Sequence, residues 1–134
     1  MSLIVGNIDP HSYELVKGDD EKFNSAEIIF FNGLGLEHGA SLHSHLNEKS
    51  KAISLGGYLL EKDKDSLIFI GDQVDPHIWM DVRLFSKVID PIVKALSEKE
   101  PLYQGFFQRR GKELKEKMLE KDVDCYQKMQ KIPS

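Results

Sequence analysis

The chain has 134 residues, of which 40% are apolar and 30% charged, and its formal net charge is −4. This composition is that of a folded globular domain and is too apolar for a disordered chain. Acidic and basic residues are interspersed, which argues against a nucleic-acid-binding surface, and no apolar run approaches the roughly 20 residues of a membrane span. The single cysteine, Cys125, excludes an internal disulfide and a cysteine-rich metal site.

Both ends of the sequence are abrupt. Residues 1–6 carry neither the basic nor the apolar segment of a secretion signal, and a lysine-rich stretch runs directly into Ile-Pro-Ser at 132–134. We interpret both ends as cuts in a longer protein. The missing targeting segment therefore predicts nothing about the compartment.

The first half of the chain predicts strands that alternate with helices. Strands are expected at three apolar runs, residues 26–31, 52–55 and 67–70, the first two closed by Asn-Gly and Gly-Gly. Helices are expected at 19–24, after Gly18, and at 36–46, and a charged loop at 61–65. Because the strands are apolar on both faces, the pattern predicts an α/β fold, with a parallel sheet flanked by helices.

The second half predicts helices. Asp81 is expected to cap a helix whose apolar residues recur every three or four positions as far as Leu96. Pro91 should kink this helix or start a new segment that Asp90 caps. Pro101 opens a last helix of about 28 residues, roughly 42 Å long. Its narrow apolar stripe favours a strut that leads to further structure, and a coiled-coil-like tail is the alternative.

One short pattern occurs twice, at residues 9–13 and 75–79: Asp-Pro-His, one further residue, and a large aromatic. Proline stiffens the bend that presents the histidine, and the aromatic is expected to anchor that bend in the core. The aspartate is expected to bind one ring nitrogen and leave the other for a metal. Since open α/β sheets bind ligands beyond the carboxyl ends of their strands, His11 and His77 are candidates for one metal site.

Two histidines do not complete a metal site, because zinc takes three or four protein ligands. The other candidate ligands favour simpler interpretations. The three remaining histidines, His38, His43 and His45, are interpreted as solvated residues of one helix. Asp81 is interpreted as a helix cap, and Glu14 as a local hydrogen-bonding partner.

The two Asp-Pro-His motifs and the segment Ala-Glu-Ile-Ile-Phe-Phe-Asn-Gly-Leu-Gly-Leu-Glu at 26–37 occur in an order and spacing that resemble a known family. The chain is similar, over residues 5–133, to the zinc-, manganese- and iron-binding solute-binding proteins of ABC transporters. That resemblance implies two α/β lobes joined by one long helix, with a metal between them. It implies that residues 4–100 form the N-terminal lobe without its first strand-helix unit, that residues 101–132 form the interlobe helix, and that the second lobe is absent.

The resemblance also implies that His11 and His77 are the first lobe's metal ligands, while a His or Glu and an Asp come from the second lobe. The implied function is periplasmic or extracytoplasmic capture of a zinc, manganese or iron ion and its delivery to an ABC permease. The metal is then cargo, and no enzymatic activity or nucleic-acid partner is implied. Membrane contact would be made through the permease or an anchor outside this chain. The lack of a long His/Asp/Glu-rich loop favours manganese or iron over zinc.

Two other function classes remain as alternatives. A metal-dependent hydrolase would use His11 and His77 as ligands and Glu14 as general base. No third ligand at helical spacing, nucleophile elbow or phosphate loop supports it. A pure interaction module would recruit a partner through its acidic surface and its long helix.

Overall fold

The computed structural model describes residues 2–4, 6–48 and 51–133, with the backbone alone at 47 and 48. The expectations that involve Met1 and Val5 lie outside these residues. The helices of the described part are α1 Asp19–Ser25, α2 Ala40–Glu48, α3 Leu55–Lys62, α4 Val82–Ser86, α5 Ile89–Lys99 and α6 Gln104–Gln130. Its strands are β1 Ile29–Phe31, β2 Ala52–Ser54, β3 Phe69–Ile70 and β4 Gln73–Val74.

The first two predicted strands form a parallel pair. Ile29 of β1 lies opposite Ala52 of β2, and α2 makes the connection between the strands. Ser54 then ends β2 and caps α3, because its side chain accepts a hydrogen bond from the backbone N–H of Gly57 at 2.9 Å. The Gly-Gly pair that was expected to close the strand therefore lies in the first turn of a helix that the sequence did not predict.

The third predicted strand, residues 67–70, is not a parallel strand. Only its last two residues are extended, and they pair antiparallel with β4 across a turn at Gly71, where φ is +63°. Leu67 is buried, but Ile68 and Ile70 are 65% and 74% exposed, so most of this apolar run lies outside the core. The reversal ends the strand before it can join the parallel pair, and it leads the chain directly into the second Asp-Pro-His motif.

Two hydrophobic clusters form the core. One cluster packs around α1 and α2 and consists of Tyr13, Phe23, Leu42 and Leu46. The other packs around α3 and α4 and consists of Leu59, Leu67, Ile78, Leu84 and Val88. The first Asp-Pro-His motif contributes Tyr13 to the first cluster, and the second motif contributes Ile78 to the second cluster. The two motifs are therefore anchored in different parts of the core.

The apolar stripe of the second half divides into two helices. Asp81 caps α4 as predicted, since its carboxylate accepts a hydrogen bond from the backbone N–H of Leu84 at 3.0 Å. Pro91 lies in the first turn of α5, where a missing N–H breaks no helical hydrogen bond. The expectation that Asp90 caps this segment is wrong, because Asp90 lies inside the first turn and Val88 precedes the helix.

The last helix begins with a 3-10 turn at Pro101–Tyr103 and continues as α6, whose 27 residues span about 40 Å. It packs along α4 and α5, to which it is joined by the ion pairs Arg83–Asp122 at 3.0 Å and Lys115–Asp90 at 2.6 Å. Among the described residues, neither α6 nor another helix is long and apolar enough to span a bilayer.

Gly111 explains a gap in the apolar stripe of α6. It is buried, and a Cβ added there would lie 2.5 Å from a methyl carbon of Val93 and 3.2 Å from one of Ile89. The absence of a side chain therefore sets the distance between α5 and α6. A Cβ at Gly105, six residues earlier in the same helix, would meet no atom within 4 Å.

These two glycines should respond to alanine with opposite signs. Gly111→Ala should lower the free energy of unfolding by about 1 kcal/mol, because overpacking outweighs the gain in helix propensity. Gly105→Ala should raise it by up to about 1 kcal/mol. Urea unfolding followed by circular dichroism measures both, and equal effects of the two substitutions would contradict the close packing of α5 and α6.

Candidate metal centre

The structure brings the two candidate histidines together. Their Nε2 atoms are 3.2 Å apart, and their ring centroids are 5.3 Å apart. Nitrogens that bind one zinc ion at about 2.05 Å lie roughly 3.3 Å from each other when the angle is near tetrahedral. The separation between His11 and His77 therefore matches that of two imidazoles bound to one ion.

The first motif is anchored through Tyr13, as the sequence predicted. The Tyr13 ring is buried, and its hydroxyl donates a hydrogen bond to Asp19 at 2.6 Å. Asp9 does not bind the ring of His11 as expected. Its carboxylate accepts a hydrogen bond from the His11 backbone N–H at 2.9 Å and so shapes the bend instead.

A buried carboxylate organises the residues after His11. Asp19 is fully buried and accepts hydrogen bonds from the Tyr13 hydroxyl, the Val16 backbone N–H at 3.0 Å and the Lys22 ammonium at 2.9 Å. These donors, the Tyr13 hydroxyl first, lower the pKa of Asp19 to about 2. The same hydrogen bond, with burial, raises the pKa of Tyr13 to about 12. The sequence identified Asp19 only as the start of a helix.

Glu14 joins the first motif to α2. Its carboxylate accepts hydrogen bonds from the backbone N–H groups of Ala40 and Ser41, at 2.8 and 3.1 Å, and from the Ser41 hydroxyl. The Ser41 hydroxyl and backbone hold the pKa of Glu14 below its usual value. Gly39 permits this approach, because a Cβ there would lie 2.1 Å from the Tyr13 carbonyl oxygen. Glu14 is thus the local hydrogen-bonding partner that was predicted.

In the second motif the aspartate does hold the histidine ring. Asp75 accepts hydrogen bonds from Nδ1 and from the backbone N–H of His77, at 2.5 and 3.0 Å. The backbone N–H first, and then the ring, lower the pKa of Asp75. Since Nδ1 carries the proton that Asp75 accepts, Nε2 of a neutral His77 presents its lone pair to His11.

The aromatic of the second motif does not anchor it. Trp79 is 41% exposed, and its ring lies edge-on to the His77 ring at 5.3 Å between centroids. The preceding residue, Ile78, is 2% exposed and enters the core instead. A 3-10 turn at Ile78–Met80 rotates the chain here, so the two motifs match in sequence but not in how they are anchored.

A hydrogen-bonded turn joins the end of β1 to the loop before His77. The side-chain amide of Asn32 donates hydrogen bonds to the carbonyls of Pro76 at 2.9 Å and Gly33 at 3.0 Å. The carboxylate of Glu37 accepts hydrogen bonds from the backbone N–H groups of Asn32 and Gly33. The Asn-Gly pair predicted the turn, but no local pattern indicates a contact with a residue 44 positions away.

The remaining histidines occupy different environments. His38 does not lie in a helix as predicted, because Glu14 caps α2 at Ala40, two residues later. Its ring centroid lies 5.5 Å from that of His11. His43 and His45 do lie in α2, and His45 pairs with Asp20 at 3.1 Å. Within the described ranges, no group of three or more His, Cys, Asp or Glu side chains is arranged to hold a metal.

Comparison with known proteins assigns this fold to a family. The profile of the periplasmic zinc-uptake complex component A, ZnuA, matches residues 1–134. The chain belongs to this family. The chain is similar to the metal-binding protein YtgA of Chlamydia trachomatis, with 40% identity over 131 residues. It is also similar to the manganese ABC transporter substrate-binding lipoprotein PsaA of Streptococcus pneumoniae, with 32% identity over 135 residues. These alignments cover 98% and 94% of the chain, but only 40% and 43% of the relatives.

Solved structures agree. The Fe(III)-bound crystal structure of YtgA superposes with a TM-score of 0.91 at 40% identity, and the periplasmic zinc-binding protein TroA of Treponema pallidum with 0.86 at 25%. Each covers 98% of the chain, which spans 46% and 47% of the YtgA and TroA chains. The α/β class with a long C-terminal helix is thereby confirmed. The ZnuA family comprises metal-binding transport components and not enzymes.

The Asp19 network predicts a specific pH dependence. Because the folded-state pKa of Asp19 is lowered from 3.8 to about 2, its ionised form stabilises the fold above pH 3.8, and this contribution is lost as the pH falls towards 2. Asp19→Asn should destabilise the chain at neutral pH and flatten the loss of stability between pH 4 and 2. Urea midpoints across that range measure the effect. The exposed neighbour provides the control: if Asp20→Asn changes the profile as much, the buried network is not its cause.

Asn32→Ala tests the link between β1 and the second motif. Loss of the two amide hydrogen bonds should lower the free energy of unfolding by about 1–2 kcal/mol. The ring nitrogen chemical shifts of His77 should change, because the Pro76 carbonyl loses its tether, while those of His45 stay constant. Nitrogen-15 spectra of the histidine side chains measure this. An unchanged His77 signal would show that the link supports the turn alone.

Proposed function

We propose that this chain supplies half of the metal cage of an extracytoplasmic substrate-binding protein, which captures a zinc, manganese or iron ion and delivers it to an ABC permease. The observation that carries the proposal is the 3.2 Å separation of the Nε2 atoms of His11 and His77. Imidazole nitrogen suits each of these metals, so the pair supplies chemically appropriate ligands.

Both ligands are held in place before an ion arrives. Tyr13 and Ile78, which are 6% and 2% exposed, fix the two loops in separate parts of the core. Asp75 orients the ring of His77 through Nδ1, in the way that carboxylates commonly orient metal-binding histidines. Preorganised ligands lose little conformational entropy on binding, which favours capture from dilute solution.

The cage is completed by a second lobe that lies outside this chain. Two ligands are fewer than a closed transition-metal site uses, and the chain spans less than half the length of the relatives reported above. Residues 4–100 then form the N-terminal lobe, and residues 101–132 the interlobe helix. The second half of α6 exposes apolar side chains at helical spacing, Leu119, Val123 and Tyr126, which offer a face for that lobe.

The metals named for the relatives limit which ion this chain is expected to carry. The YtgA structure contains Fe(III), PsaA is a manganese transporter component and TroA binds zinc. We expect one of these three metals as the transported ion of this chain. The lack of a long His/Asp/Glu-rich loop in the sequence favours manganese or iron.

The same comparisons support a site of action outside the cytoplasm. The family profile describes a periplasmic component, and PsaA is a lipoprotein. The loaded protein would dock on the permease, and an anchor or signal would be carried by sequence outside this chain. Membrane contact would then be indirect for the residues described here, and no nucleic acid takes part.

Glu14 is poorly suited to be the base of the alternative hydrolase. The Glu14 carboxylate is occupied by the first turn of α2 and the Ser41 hydroxyl, and these donors hold its pKa below the usual value. A general base works best with a pKa near the operating pH, so this carboxylate is poorly suited to remove a proton from water.

The test is calorimetric titration of the chain with Zn²⁺, Mn²⁺ and Fe²⁺. Wild type should bind weakly, because half of the ligands are absent, and His11→Ala with His77→Ala should weaken binding at least about tenfold. His45→Ala is the control, since the ring nitrogens of His45 contact Asp20 and the Ser41 carbonyl and take no part in the proposed site. Binding that survives the double substitution would overturn the assignment of the two ligands.

A further inference from the structure

His38 is a third imidazole next to the proposed site. It lies between the turn that follows β1 and the start of α2, and its ring centroid is 5.5 Å from that of His11. The ring is exposed, whereas those of His11 and His77 are partly buried. His38 is not one of the two proposed ligands, His11 and His77.

The structure fixes which nitrogen of His38 is available. Nδ1 lies 2.8 Å from the carbonyl oxygen of Gly35. A carbonyl only accepts hydrogen bonds, so Nδ1 carries the proton and Nε2 of the neutral ring keeps its lone pair. This is the arrangement in which a backbone carbonyl commonly prepares a histidine to bind metal.

The position of His38 beside His11 is enforced by the backbone. Gly39 packs against the Tyr13 carbonyl at a distance that leaves no room for a Cβ, and Glu14 caps the helix that starts one residue later. His38 and His11 are therefore held on neighbouring segments that cannot separate without breaking the cap. The chain does not bring His45 to this place, because its Nε2 pairs with Asp20 and its ring packs on Phe23.

We propose that His38 is a capture ligand, which binds the incoming metal ion through Nε2 together with His11 before the ion passes to the His11–His77 pair. This inference rests on the proposed metal-binding function. It agrees with the absence of a three-ligand cage among the described residues, because His38 acts before the final pair rather than with it. The exposed His38 ring would replace a water of the hydrated ion first, and the partly buried His11–His77 pair would then complete the exchange.

Nitrogen-15 spectra of the histidine side chains during a Zn²⁺ titration of the chain provide the test. The Nε2 signals of His11 and His77 should move, and that of His45 should stay in place. In stopped-flow mixing with Zn²⁺, His38→Ala should slow association about tenfold, whereas His45→Ala should leave it unchanged. Circular dichroism confirms that both variants are folded.

The outcomes separate this inference from the function on which it rests. If His38→Ala associates with Zn²⁺ as fast as wild type while the His11 and His77 signals move, the capture role is wrong and the pair stands. Equally slow association of His45→Ala also overturns the capture role, because the effect would then not be specific to His38. If neither His11 nor His77 moves, the proposed metal site itself fails.

Discussion

The hydrogen bond between the buried Asp19 carboxylate and the Tyr13 hydroxyl is the constraint on which the His11 half of the candidate metal centre depends. A charged carboxylate without exposure to water is costly, and it is tolerated here because three donors surround it. Satisfying that carboxylate draws Tyr13 into the core and fixes the bend two residues earlier. The position of His11 is therefore set by electrostatics within the fold rather than by contact with a metal.

The two halves of the centre reach the same geometry by different means. On one side a polar network and a glycine contact attach the His11 loop to α1 and α2. On the other side Ile78 packs in an apolar cluster, Asp75 orients the ring, and Asn32 ties the preceding carbonyl to β1. Because neither set shares a residue with the other, a substitution in one should leave the other ligand in place. The two supports converge at β1, where Ile29 and Phe31 pack against the Tyr13 cluster and Asn32 holds the loop before His77.

The sequence predicted the elements that have strong local patterns. The Asn-Gly turn, the Asp81 cap and the long last helix were all visible in residue order, and the repeated Asp-Pro-His pattern indicated which histidines would meet. The hairpin at Gly71 and the helix after Ser54 were missed, because an apolar run and a Gly-Gly pair favour the opposite interpretation locally. The neighbours His38 and Asn32 could not be assigned either, since their contacts with the motifs arise only from packing between distant segments.

The contact between the two imidazoles also has a consequence for ion selectivity. When no ion is present, His77 offers a lone pair at Nε2, and the 3.2 Å contact is a hydrogen bond if His11 carries its proton on the facing nitrogen. The two rings would then be hydrogen-bonded to each other, and an ion that binds Nε2 of His11 would have to displace the proton there. Calcium and magnesium, which prefer oxygen ligands, gain too little from nitrogen to do so. In the proposed site this hydrogen bond would add to the preference of imidazole for transition metals, because an ion that binds the facing nitrogen must first displace its proton.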